Sequence, residues 1–157
     1  QASLFIRGAL FRAPARLDVG MVPWATYTDP ELAQVGLGER EARAKHGDAI
    51  KVLHWKFAEN DRAQTERATD GLVKVVTGAR GRILGAGIAG PQAGELIQPW
   101  CLALASRLKI SSLASFVPPY PTLGETAKRA AGSYYTEALF GSRTRGVVKL
   151  LSRLPVW

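Results

Sequence analysis

Cysteine is all but missing from this sequence: Cys101 stands alone among 157 residues. One thiol excludes an internal disulfide and a redox-active pair, so the chain by itself cannot carry dithiol chemistry. Cys101 lies in the apolar run Trp100-Cys101-Leu102-Ala103-Leu104-Ala105, where a buried structural thiol is expected. Histidine is nearly as scarce, with His46 and His54 the only two. Neither has a second ligand at metal spacing, so no metal site is expected. No apolar run reaches the roughly 18 residues that a membrane helix needs. The opening residues Gln1-Ala2-Ser3-Leu4-Phe5-Ile6-Arg7-Gly8 lack the features of a secretory signal, and the sequence reads as a piece of a longer protein. Acidic residues are in deficit, 13 against 21 Lys and Arg, for a net charge of +8. That balance suits nucleic acid or an anionic surface. The basic residues are scattered, however, and none is interleaved with aromatics at a recognition spacing, so nucleic-acid binding is not expected.

What is present has the length of one domain, enough to bury about 70% of the unfolded surface. Residues 3–11 carry apolar side chains at Leu4, Phe5, Ile6, Leu10 and Phe11 and predict a short amphipathic helix stopped by Pro14. Residues 12–20 then read as a linker. Strands are predicted over 22–27 and over 50–57, and the Asp29-Pro30 step forces a bend before 31–36. A polar helix at 39–46 ends at Gly47, and 60–69 read as a loop or short helical turn. Residues 72–77 and 83–88 flank Gly78-Ala79-Arg80-Gly81 and predict an antiparallel hairpin. Leu96, Ile97, Trp100, Cys101, Leu104 and Leu108 follow helical spacing and predict one helix over 93–107. A shorter turn of helix holds Leu113 and Phe116, and a last helix runs over 123–139. Strand pairs followed by helices imply an α+β domain, an antiparallel sheet with helices packed on one face.

Gly85-Ala86-Gly87-Ile88-Ala89-Gly90 mimics a dinucleotide loop. The upstream hairpin and Pro91 fit a strand end better than the helix-opening turn such a loop requires. More telling is Pro119-Tyr120-Pro121-Thr122-Leu123-Gly124-Glu125, a proline-stiffened turn that brings an aromatic hydroxyl and a carboxylate to a helix start. Thr122 suits the N-cap and Glu125 the capping-box position three residues on. That local role needs no catalysis to explain it.

Together with Tyr27-Thr28-Asp29-Pro30-Glu31-Leu32-Ala33-Gln34-Val35-Gly36, Gly71-Leu72-Val73-Lys74-Val75-Val76 and Ile83-Leu84-Gly85-Ala86, this turn resembles the C-terminal dimerisation domain of the FAD-dependent pyridine-nucleotide disulfide oxidoreductases. The resemblance runs from about residue 22 to 135. The family includes dihydrolipoamide dehydrogenase, glutathione reductase and mercuric reductase, and its usual final motif is His-Pro-Thr-x-Ser-Glu, with the His–Glu pair as acid/base. Tyr120 stands where that histidine would be, as in mercuric reductase, and Gly124 replaces the serine. A tyrosine, with an ordinary pKa near 10, is chiefly a hydrogen-bond donor at neutral pH and a weak base. The resemblance implies a homodimer in which Tyr120 and Glu125 act as catalytic residues of the partner's active site. Pro119, Tyr120 and Pro121 would then lie near the partner's FAD. FAD, NAD(P) and any cysteine pair would be held by the preceding FAD- and NAD(P)-binding domains, leaving this piece inert alone. The vicinal cysteines that end mercuric reductase have no counterpart in Ser152-Arg153-Leu154-Pro155-Val156-Trp157.

Three segments are expected: 1–20, a remnant of the FAD domain and a linker; 21–139, the dimerisation domain; and 140–157, a basic amphipathic tail. In a helix over 145–154, Val147, Val148, Leu150, Leu151 and Leu154 share one side, with Arg145, Lys149 and Arg153 on the other. With Arg143, this tail defines the alternative reading, a non-catalytic interaction module docking on a membrane or an acidic partner through 143–154. The location implied is cytoplasmic; membrane association of the full-length protein through 143–154 belongs to the alternative reading only.

Overall fold

Alternating side chains and tight turns build the sheet. In a computed structural model that describes residues 2–14 and 18–152, five strands pair in the order β1-β2-β5-β4-β3. These are β1 (Trp24–Thr26), β2 (Glu31–Gly36), β3 (Lys51–Lys56), β4 (Leu72–Thr77) and β5 (Ile83–Gly90). Every pairing is antiparallel. Because side chains alternate across a strand, directly paired residues form rows. One row, Leu53–Val75–Ala86–Val35, faces the core, and beside it runs Val73–Ile88–Ala33. The first strand is shorter than the expected 22–27 because Pro23, with no N–H, cannot join the ladder.

A layer of helices covers that apolar face: α4 (Ala93–Leu96), α5 (Gln98–Ala105), α6 (Ile110–Ser115) and α7 (Glu125–Gly132) follow α1 (Ala2–Ala9), α2 (Glu39–His46) and α3 (Asp61–Glu66) in the chain. They contribute Ile97, Trp100, Ala103, Ile110, Leu113, Ala127, Ala130 and Ala131, all buried. The α+β reading with a principal helical layer on one face therefore holds. Helix α2 is set apart on the opposite face, where Ala42 packs with Val76 and Leu84 and Glu39 meets Lys74 at 3.1 Å. The rest of that face is open, with the row His54–Lys74–Gly87–Gln34–Trp24 across all five strands.

Two helices expected to be continuous are broken. The 93–107 segment divides at Ile97 into α4 and α5, since Pro99 has no N–H to carry the helical ladder across the junction. The 123–139 segment starts at Glu125 and yields α7, a 3-10 turn over Ser133–Tyr135 and α8 (Thr136–Phe140). Gly132 weakens the helix there by about 1 kcal/mol relative to alanine, and the Ser133 hydroxyl donates to Ala130 O at 2.8 Å, competing for a helical acceptor.

Residues Ser142–Leu151 form helix α9, which begins before the 145–154 span considered from the sequence; Arg153 and Leu154 lie outside the described residues. Its Val147, Val148, Leu150 and Leu151 are all more than half exposed. At the other end, Phe5 on α1 and Leu10 and Phe11 just after it are about three-quarters exposed. No described helix is long and apolar enough to cross a membrane.

Candidate functional site

Helix α6 ends when Phe116 turns to an extended conformation, and the prolines that follow keep the chain out of helix until Glu125. The turn is anchored from both sides. Leu123 is buried in the core, while Asn60, buried although polar, works as a clamp. Its Oδ1 accepts the Ala63 N–H at 2.9 Å, capping α3, and its Nδ2 donates to the Thr122 carbonyl at 3.1 Å. Within the turn the Thr122 hydroxyl donates to Pro119 O at 2.7 Å, and the Tyr120-Pro121 peptide is cis.

Tyr120 stands out from this platform, 70% exposed. Its hydroxyl donates to Asp61 Oδ2 at 2.9 Å. Asp61 is the first residue of α3, placed there by the Asn60 cap. The accepted hydrogen bond and the charge of Asp61 raise the phenol's pKa above its ordinary value, with smaller contributions from partial desolvation and the charge of Glu125. The phenol therefore stays protonated at neutral pH, its proton directed at Asp61 and its oxygen lone pairs turned outward.

Tyr120 and Glu125 thus sit at the same turn, but the expected capping arrangement does not form. Gly124 is the N-cap of α7 and makes no side-chain cap. Thr122 points its hydroxyl back to Pro119, because the turn takes two more residues before helical geometry begins. Glu125 is consequently the first helical residue rather than the third. It borders an open cleft of about 400 Å³ that Trp55, Pro118, Lys128 and Arg129 also line. Asp61 and Asn60 escaped the sequence reading. The only signal was an Asn-Asp pair suited to a helix start, and nothing local ties it to a tyrosine 59 residues away.

The remaining candidates resolve plainly. The Gly85–Gly90 glycines lie in β5 between β2 and β4, so the run is a strand and not a phosphate-binding turn. Cys101 is partly buried on α5, and burial pushes its thiol pKa up. His54 and His46 are exposed, and no cluster of three or more metal-ligating side chains exists among the described residues.

This sheet-and-helix arrangement recurs within disulfide reductases. LpdA from Mycobacterium tuberculosis superposes with a TM-score of 0.76 at 26% identity, over 83% of this chain and 28% of that one. The HOCl-induced flavoprotein disulfide reductase RclA from Escherichia coli, as its Cu(II) complex, shares the fold with a TM-score of 0.74 at 23% identity, over 83% and 30%. The chain belongs to the pyridine nucleotide-disulphide oxidoreductase dimerisation domain family, whose model matches residues 22–131. It is 43% identical over 119 residues to the dihydrolipoyl dehydrogenase of Thermus scotoductus, covering 75% of this chain and 26% of that protein. The mitochondrial dihydrolipoyl dehydrogenase of Sus scrofa is 39% identical over 115 residues, 73% and 22%. The chain thus spans about a quarter of the length of these relatives.

Proposed function

We propose that the chain is the dimerisation unit of an FAD- and NAD(P)-dependent oxidoreductase of the disulfide-reductase type, working in the cytoplasm as a homodimer. Each copy holds the two subunits together and presents Tyr120, with Glu125 behind it, to the partner's flavin site. Residues 1–20 close the preceding domain, 21–139 form the dimerisation domain, and 140–157 extend from it. FAD and NAD(P) belong to the other domains of the full-length enzyme. The observation that carries the reading is the turn at 119–125: an aromatic hydroxyl held by two anchors at the rim of the domain, in a chain of this family. The exposed apolar face of α1 supports burial against further parts of the polypeptide.

FAD, when bound by the complete enzyme, supplies hydride and electron transfer. The residues of this chain do something simpler. Asn60 and Leu123 fix the turn, Asp61 orients the phenol, and Tyr120 offers a hydrogen-bonding oxygen to a group on the far side of the subunit boundary. No comparison supports the alternative of a module docking on a membrane through its tail.

Two measurements test the proposal. Light scattering of the 157-residue chain over a concentration series should reveal a dimer, since obligate interfaces of this type bury more than about 2,000 Å². A 17 kDa species alone, up to high micromolar loading, would remove the dimerisation claim. In the full-length enzyme, Tyr120→Phe should lower turnover by tens- to hundreds-fold while the melting temperature stays nearly constant, and unchanged kinetics with every acceptor would reduce Tyr120 to a structural residue.

A further inference from the structure

Nothing in the family resemblance assigns a role to Asp61, yet it is the side chain that Tyr120 touches. Glu125, where the resemblance places the tyrosine's partner, makes no hydrogen bond to it among the described residues; it acts on the phenol only through its charge. We infer that Asp61 is the positioning residue of the site and that, by accepting the hydrogen bond of the Tyr120 hydroxyl, it selects for a substrate group that donates a hydrogen bond.

The chemistry follows from donor counting. A phenol has one proton and two acceptor lone pairs. With the proton committed to Asp61 Oδ2 at 2.9 Å, only lone pairs face outward. The charge of Asp61 and, more weakly, that of Glu125 also bear on the oxygen. The cation on the same helix, Arg62, is paired with Glu66 at 2.6 Å, and Lys128 and Arg129 line the cleft that Glu125 borders, which leaves Asp61 as the charge that bears most directly on the phenol. Such a rim favours a thiol S–H, a hydroquinone O–H or an ammonium over a thiolate or carboxylate, which would meet lone pairs and like charge. The geometry of the pair is already built into α3, because the Asn60 cap that starts the helix also bonds the Thr122 carbonyl, joining both ends of the contact.

This inference rests on the proposal that Tyr120 faces a partner's flavin site, and the tests separate the two. In the 157-residue chain, ultraviolet titration of the wild type minus Tyr120→Phe isolates the Tyr120 phenol. Asp61→Asn should lower its midpoint and Asp61→Glu should restore it; an unchanged midpoint in Asp61→Asn overturns the inference. In the full-length enzyme, Asp61→Asn should lower kcat/KM for a dithiol or hydroquinone substrate by roughly ten- to hundred-fold and move the alkaline limb of the pH profile to lower pH, with little further loss when combined with Tyr120→Phe. A slow Tyr120→Phe beside a fully active Asp61→Asn sinks the Asp61 role and leaves the functional reading intact. Full activity in Tyr120→Phe sinks both.

Discussion

Asn60 concentrates two jobs in one buried amide, the cap of α3 and the tether of the 119–124 turn. Removing it leaves the Ala63 N–H without its cap and the half-buried Thr122 carbonyl with only the Glu125 N–H at 3.4 Å, so Asn60→Ala should cost about 1–2 kcal/mol, chiefly the lost cap, read as a lower urea midpoint. Asn60→Asp keeps the acceptor for Ala63 but has nothing to donate to Thr122. It should therefore be less stable than wild type near pH 7. Cys101 gives a second residue-level expectation. Burial holds its thiol protonated and only the thiolate attacks, so a thiol reagent should react slowly with the folded chain at pH 8 and rapidly in denaturant. That behaviour was legible in the sequence from the apolar run around Cys101. The Tyr120–Asp61 contact was not, because a hydrogen bond between distant segments depends on how α3 and the turn are brought together.

At the level of elements, the hairpin of β4 and β5 was plain from its apolar runs and bracketing glycines, and β3 from its Val, Trp and Phe content. Element ends were less readable. Pro23 trims β1 and Pro99 divides α4 from α5, both by withholding a backbone donor whose use depends on the neighbours it would have met. The glycines of β5 also look different in the fold than in the sequence. A Cβ on Gly85 would run into the Leu37 backbone, 2.6 Å from its nitrogen, and one on Gly90 would strike the ring of the fully buried Phe57. The close approach of chains, rather than phosphate binding, fixes glycine at these positions. Gly85→Ala should cost about 3 kcal/mol or more, since backbone cannot give way as a flexible side chain does. Gly87, whose nearest neighbour lies 3.8 Å from such a Cβ, should accept alanine with a much smaller fall in melting temperature.

For the whole molecule, acid stability has a definite sign. Lys51 donates to Glu137 at 2.7 Å and lowers the carboxyl's pKa; Lys74 and Arg43 do the same for Glu39. A depressed acid contributes stability above its unfolded pKa and loses that contribution as pH falls through its folded pKa. Glu137→Gln should therefore differ from wild type in melting temperature at pH 7, with the gap closing below the ordinary carboxylate range, and modestly, because the pair is exposed. The same Lys51 belongs to the margin of the sheet. On that side β3 carries Lys51, His54 and Lys56 among its apolar residues, and Lys51 Nζ also reaches the Tyr134 carbonyl at 3.2 Å, drawing the C-terminal turn alongside. At the other margin β1 is only three residues long. Short strands and lysines discourage the templated stacking through which exposed edges seed fibrils, so the sheet resists growth by strand addition and leaves its faces and helices for specific assembly.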